Sequence, residues 1–273
     1  MEYPDLFEVE TSGQAYEEDV EITGFGLAPV KPEGGSVIYD SETQGPVTRS
    51  THVAYGLGFI VTHEELKDNL YEVVAKRRAK ALAFSMNQTK ETVAANVYNR
   101  GFNSGYTFGD GKAMLVIDHP TLSGDQSNIL ANAADFSETA LEDLLIQIMK
   151  ATNNRGLKIN LMGRSLHVAA DSWFEANRVL KSVLQNDTAN NAINVLKSTN
   201  ALPEGIKINH YFTDSDAWMV RTNCPTGQMM YKREATSFTQ DNDFDTDNEK
   251  AKCYMRFSVG STDFRGVYAS PGV

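Results

Sequence analysis

Between Gly58 and Gly101 the chain runs for 42 residues without a glycine or a proline, so nothing in that stretch forces a turn. Thr62 with Glu65 has the spacing of a capping box, and Val61 with Leu66 occupies the staple positions on either side of it. These signals predict one helix from about Thr62 to Arg100, roughly 57 Å long at the α-helical rise. A compact globule of 273 residues has a radius of gyration near ~18 Å and a diameter of only about 48 Å. The helix outruns the body that should bury it, which points to an extended subunit completed by its neighbours.

The helix surface carries the same message. Leu66, Leu70, Val73 and Val74 make one apolar stripe, and Leu82, Met86, Thr89, Val93 and Val97 make another at helical spacing. Between them lies the basic run Lys76-Arg77-Arg78-Ala79-Lys80. It reads either as a solvated face of an ordinary long helix or as a contact between subunits. The stripe does not keep a 3.5-residue period through the run, which argues against a coiled coil.

A net charge of −11 argues against a general nucleic-acid binder, whose affinity comes from clustered Lys and Arg. No apolar run approaches the ~18 residues that span a bilayer, so no membrane is expected, and the N-terminus lacks a signal-peptide pattern. Cys224 and Cys253 fit no zinc or CxxC spacing and read as free thiols of a reducing compartment, with a disulfide left open. Residues 1–22 hold eight Asp or Glu and no Lys or Arg, with few apolar groups. They read as a solubilising tail, or as an arm laid along an adjacent subunit. In the second case Glu17, Glu18, Asp19 and Glu21 would meet Lys76, Arg77, Arg78 and Lys80, a contact weakened by salt.

Extended segments are expected at Val20–Ile22, Phe25–Leu27 and His52–Val61, with a turn at Lys31–Gly35 and a polar Ser36–Ser50. Together they predict a long hairpin with too little apolar surface to stand alone. Ser137 should cap a helix bearing Leu141, Leu144, Leu145, Ile148 and Met149 that ends at Asn153–Gly156. A strand over Leu157–Ala169 follows, then a helix capped by Asp171, a short helix at Ile193–Leu196, and strands at Ile206–Tyr211 and Ala217–Val220. This mixture predicts an α+β domain near residues 125–222. Met229–Arg233, Ala251–Gly260 and Gly266–Tyr268 should form a second sheet-rich region.

No motif supplies an active site. Gly24-Phe25-Gly26 lacks the third glycine of a dinucleotide fingerprint, and Gly109-Asp110-Gly111-Lys112 has the wrong spacing for a phosphate loop and reads as a β turn. Asp118 and His119 could form an acid/base pair or ligate a metal, but no second histidine motif accompanies them. Asp241, Asp243 and Asp245 are spaced like the start of a calcium loop, yet Thr246 takes the glycine position and Lys252 that of the bidentate glutamate. A polar connection between strands fits better. No nucleophile elbow or HExxH helix occurs, so no cofactor, metal or catalytic residue is expected.

Several ordered stretches resemble one family. They are Asp110–Ala113; His119–Gly124 with Asn128; Asp135–Glu142; Asp216-Ala217-Trp218; Tyr231-Lys232-Arg233; Asp243–Thr246; and Thr262–Gly272. In order and spacing, from about residue 55 to the end, the chain resembles the major capsid proteins of tailed bacteriophages, especially Mu-like major head subunits. It departs from their pattern at Phe264, where tryptophan is expected, and at Ala169-Ala170, where proline is expected; both are packing changes.

The resemblance implies an α+β Hong Kong 97-like capsid fold. Residues 1–20 would be an acidic N-terminal arm and 21–61 an extended β-hairpin loop. Residues 62–124 with 223–273 would form the peripheral domain, including a spine helix over 62–100, and 125–222 the axial domain. It further implies a non-enzymatic shell protein that assembles in the bacterial host cytoplasm into pentamers and hexamers of the virion. The implied partners are itself, a scaffolding protein and a portal, with packaged double-stranded DNA near by without specific binding. The chain reaches the loop within about 20 residues, so a separate scaffolding protein is expected if Met1 is the true start. The alternatives are an encapsulin-type nanocompartment shell and a metal-dependent hydrolase built on Asp118 and His119.

Overall fold

The structure, a computed structural model, describes residues 1–68, 71–185 and 192–273, with the side chains of 71–75 also left out of the description. Leu70, Val73 and Val74 of the first predicted stripe therefore lie outside the described residues or side chains. The chain forms two compact units. The first comprises 1–17, 50–95 and 229–260; the second comprises 18–49, 96–228 and 261–273.

The first unit is built on a four-stranded sheet in the order β1 (Glu8–Thr11), β8 (Gln228–Asn242), β9 (Glu249–Ser261), β4 (Val53–Val61). β1 runs parallel to β8, and β4 runs antiparallel to β9 with Val53 opposite Phe257 and Val61 opposite Glu249. Along β9, Ala251, Cys253, Met255 and Phe257 are buried while Lys252, Tyr254 and Arg256 alternate with them. This is the period-2 pattern of a half-buried strand. Phe257 stacks on Tyr55 with ring centroids 4.9 Å apart.

The predicted single helix is two elements. Thr62 does cap the first, α2 (His63–Lys67), its Oγ1 accepting from Glu65 N at 3.3 Å. That helix ends at Asp68, whose ψ of 10° leaves the helical range; Asp is a weak helix former because its side chain competes for backbone partners. α3 runs Tyr71–Asn99. In the first unit its buried positions are Leu82, Met86, Glu91, Ala94 and Ala95, whereas Thr89 and Val93 of the predicted stripe are only half-buried.

The reason is the N-terminus, part of which is not the free tail that its acidity suggests. α1 (Tyr3–Leu6) and β1 pack within this unit, with Tyr3, Leu6 and Phe7 buried. Glu91 accepts the Glu2 amide at 3.0 Å and the Tyr3 amide at 2.8 Å, satisfying donors that a helix start leaves open. Averaging charge over 22 residues hid this short apolar run.

The second unit holds the sheet β10 (Val267–Ser270), β7 (Trp218–Thr222), β5 (Gly163–Val168), β6 (Gly205–Ile208). β10–β7 and β7–β5 are antiparallel and β5–β6 is parallel. β10 was expected among the later sheet-rich strands, but it pairs here with β7. α4 (Glu138–Met149), capped by Ser137 through a 3.2 Å bond from Ala140 N, buries Leu141, Leu144, Leu145 and Ile148. They pack in one cluster with Leu166, Val168, Trp218 and Val220 of the sheet and Ala176 and Val179 of α5 (Trp173–Lys181). Each buried Leu, Ile or Val among them contributes roughly 1.5–3 kcal/mol by leaving water. Trp218 meets Phe136 edge-on and donates Nε1–H to Ala134 O at 3.1 Å. Ser172, not Asp171, precedes α5, and α6 is Val195–Ser198.

β2 (Tyr16–Ile22) and β3 (Gln44–Thr51) make a separate two-stranded sheet, closed by Thr23 and Thr43 through backbone and hydroxyl bonds. Between them no strand forms at Phe25–Leu27; residues 24–43 have only a turn at Pro32–Gly35.

Candidate functional site

The predicted acid/base pair is not assembled. Asp118 is ion-paired with Lys112, and that hydrogen bond holds its carboxyl below the usual carboxylate range. His119 is buried, its Nδ1 2.6 Å from Asp110 Oδ2 and its Nε2 3.2 Å from Asn128 Oδ1. Its ring lies flat on Phe264, 4.2 Å between centroids. Asn128 is pinned by its own bonds, Nδ2 donating to the carbonyls of Met114, Phe264 and Val267 and Oδ1 accepting from Val116 N. Both imidazole nitrogens are therefore committed. The adjoining cavity, about 20 Å³, has room for a water molecule but none for a substrate.

Arg265, also buried, organises the neighbouring ground. Nε donates to Thr152 O at 2.9 Å, Nη1 reaches Glu21 and Asp263 at 3.2 Å each, and Nη2 donates to Asn154 Oδ1 at 2.7 Å. Such a five-donor fork suits a guanidinium and no other cation. Gly266 and Gly227 meet backbone to backbone; a Cβ on Gly266 would fall 2.7 Å from Gly227 Cα. Sequence reasoning named Glu21 and Asp110 but saw neither partner, because Arg265 stands 244 positions from Glu21.

The metal and thiol alternatives fare no better. Asp241, Asp243 and Asp245 sit at the β8–β9 turn, where Asp243 pairs with Lys250 and its amide bonds Asn248 O at 2.9 Å. That pairing lowers the Asp243 pKa. Among the described residues no group of three or more His, Cys, Asp or Glu could hold a metal ion. Gly109–Lys112 is the expected turn, with Gly111 at φ +79°. Cys224 and Cys253 are free thiols, and burial pushes the Cys224 thiol well up, which leaves it unreactive.

The predicted contact residues are dispersed. Glu17 accepts from Ser12. Glu18 bonds Arg49 Nε at 2.7 Å, Asp19 accepts from Thr262 Oγ1 at 3.1 Å, and Glu21 faces Arg265. Arg78 is paired with Glu65 at 2.8 Å, while Lys76, Arg77 and Lys80 are exposed on α3. One run of exposed apolar side chains was missed by the sequence reading. Phe25, Leu27, Val30, Val37, Ile38 and Tyr39 are all exposed between β2 and β3, Val30 to 95% and Tyr39 to 93%. The segment touches its own unit through Asp40, which accepts from Gly26 N at 2.8 Å and from Arg155 Nη1 at 2.7 Å. A solvated enzyme gains nothing from such a surface; a subunit that is buried by its neighbours does.

Comparison with solved structures places this architecture among viral shells. The capsid of the cyanophage P-SCSP1u is similar over 99% of this chain and 88% of its own, with a TM-score of 0.61 at 11% identity. A native GTA particle capsid gives 98% and 89%, 0.61 and 12%, and Mycobacterium phage Che8 gives 99% and 92%, 0.54 and 14%. At such identities the likeness shows the fold alone, an α+β capsid fold of the Hong Kong 97 type. No curated protein matches the chain by sequence. The family model described as "Phage capsid protein" matches residues 46–270, and the chain belongs to that family. It is a structural major capsid protein, not an enzyme, that assembles with itself into the shell of a virion.

Proposed function

We propose that this subunit builds an icosahedral phage head around double-stranded DNA as pentamers and hexamers, assembled in the bacterial host cytoplasm. The observation that carries this reading is the exposed apolar segment Phe25–Tyr39 between β2 and β3. In this reading residues 21–61 reach across a neighbour, 62–124 with 223–273 serve as the peripheral domain, and 125–222 gather at the five- and six-fold axes as the axial domain. Mu-like heads are the subtype that its motifs resemble most.

A separate scaffolding protein guides closure, and a portal occupies one vertex. The net charge of −11 disfavours adhesion to the packaged DNA, which lies near by without a specific site. Lys76, Arg77 and Lys80, exposed on α3, meet an acidic surface of an adjacent subunit. Arg78 adds to that charge while remaining on Glu65. Glu17, Glu18, Asp19 and Glu21 offer such a surface wherever their hydroxyl and arginine partners leave an oxygen open.

Sedimentation of the full chain with its scaffolding protein, followed by negative-stain microscopy, tests the whole. Closed shells that yield double-stranded DNA from infected cells are expected. Shells loaded only with a cargo protein, or a persistent monomer, would overturn it.

A further inference from the structure

Two helices of the second unit carry faces that combine charged groups with exposed apolar side chains. On α4, Glu138, Glu142, Ile146 and Met149 fall at spacings of four, four and three, so they share one face. Ile146 and Met149 are exposed. This face is acidic at its N-terminal half and apolar at its C-terminal half. On α5, Phe174, Arg178 and Lys181 share a face in the same way, and all three are exposed, Phe174 to 72%. This one is apolar first and basic last.

The order of the two faces is complementary when the helices run antiparallel. Acid then meets base and apolar meets apolar. Glu138 in a first turn and Arg178 and Lys181 in a last turn are favoured by the helix dipole alone, but Glu142 and the exposed apolar groups are not accounted for that way. Glu138 and Glu142 are a like-charged i,i+4 pair, which destabilises an isolated helix. The Glu138 carboxyl is pushed up by burial and next by Glu142, and only a hydrogen bond from Gln185 opposes this. Among the described residues no cation figures among the groups that act on the Glu138 carboxyl. Beside the acids Ile146 and Met149 line an apolar groove of about 390 Å³ with Leu145, Met162, Val195 and Leu196, wide enough for a phenylalanine ring.

We propose that α4 of one copy docks antiparallel on α5 of the next, with Phe174 seated in the groove and Arg178 and Lys181 on Glu142 and Glu138. This inference rests on the shell reading and specifies one of its contacts. A knob and a groove on different helices of one chain make a head-to-tail contact, which gives a ring where the rotation between copies closes. The contact accordingly belongs inside a capsomer.

The test is a charge swap in the full chain, read by sedimentation velocity over a concentration series. Arg178→Glu with Lys181→Glu, and separately Glu138→Lys with Glu142→Lys, should each raise the concentration needed for rings at least about tenfold, since like charges then face each other. The chain carrying all four changes should recover most of that loss. Thermal melts of the unassembled subunit check folding. Phe174→Ser, at an exposed position, should weaken rings without lowering the melt, and it decides the matter if a reversal variant fails to fold. A four-fold variant no better than its parents, reversals without effect while the wild type forms rings, an inert Phe174→Ser, or two-fold dimers as the largest species would each overturn the contact. A wild-type chain that forms no oligomer, even with its scaffolding protein, would remove the shell reading itself.

Discussion

Two regions of the second unit invert the usual rule of protein interiors. Around Phe264 the structure buries polar and charged groups: His119, Asn128 and Arg265 are each at most 3% exposed. Between β2 and β3 it exposes apolar ones, Leu27 at 81% and Ile38 at 70%. Every polar side-chain atom of Asn128 and Arg265 is bonded within the same subunit at distances of 2.7–3.4 Å. The apolar segment has no such closure. The first region uses polar side chains to fix one geometry within the subunit; the second keeps apolar surface that the subunit itself leaves uncovered.

That contrast can be broken most sharply at Asn128. Asn128→Leu strands the Val116 amide, His119 Nε2 and three carbonyls, and it should cost about 4 kcal/mol or more, a large share of a typical domain's stability. Urea titration of the subunit measures it. Arg265→Met leaves Glu21 and Asp263 without their cation and should cost about 3–5 kcal/mol in the same assay. Arg265→Lys should recover only part of this, because an ammonium cannot reach Thr152, Asn154 and the carboxylates together. Gly266→Ala puts a methyl group against Gly227 and should cost about 1–3 kcal/mol.

The first unit offers a titratable version of the same burial. His52 is buried, with Nδ1 3.0 Å from Ser258 Oγ and Nε2 3.1 Å from Ser12 Oγ. Burial first, and then the charge of Arg256, lower its pKa below the ordinary 6.5. The unfolded chain therefore takes up a proton before the folded one does. Stability contributed here is complete above pH ~6.5 and falls as pH drops toward the folded pKa. Melting temperatures of the wild type and His52→Asn between pH 4 and 8 should show a steeper acid loss for the wild type; parallel curves would refute it. The smallest effect on the isolated subunit belongs to the exposed segment. Leu27→Ser with Tyr39→Ser should change its stability by less than about 0.5 kcal/mol, yet reduce shell yield in sedimentation. A large loss of subunit stability would mean that the segment is covered in the free chain after all.

Local chemistry was legible in advance wherever a few adjacent residues decide the outcome. Thr62 and Ser137 cap as their spacing indicates, the alternation of β9 reads directly off Ala251–Phe257, and Gly109–Lys112 turns because Gly111 can take a positive φ. The family-like C-terminal run Thr262–Gly272 was recognisable as a motif. Its work was not: Arg265 and Val267 act on Glu21 and Asn128, 244 and 139 positions away. The partner of His119 is Asp110, not the adjacent Asp118, because the turn at Gly109–Lys112 returns one carboxylate to the ring while Lys112 occupies the other. The N-terminal acids hid Leu6 and Phe7, and β10 joined β7 instead of the strands nearer it in sequence. Caps, turns and strand periods depend on neighbours within one helical turn or one pleat, so the chain determines them by itself. Pairings across a hundred residues or more, and which apolar groups remain uncovered, depend on how the closed units exhaust their partners, and only the tertiary structure decides that.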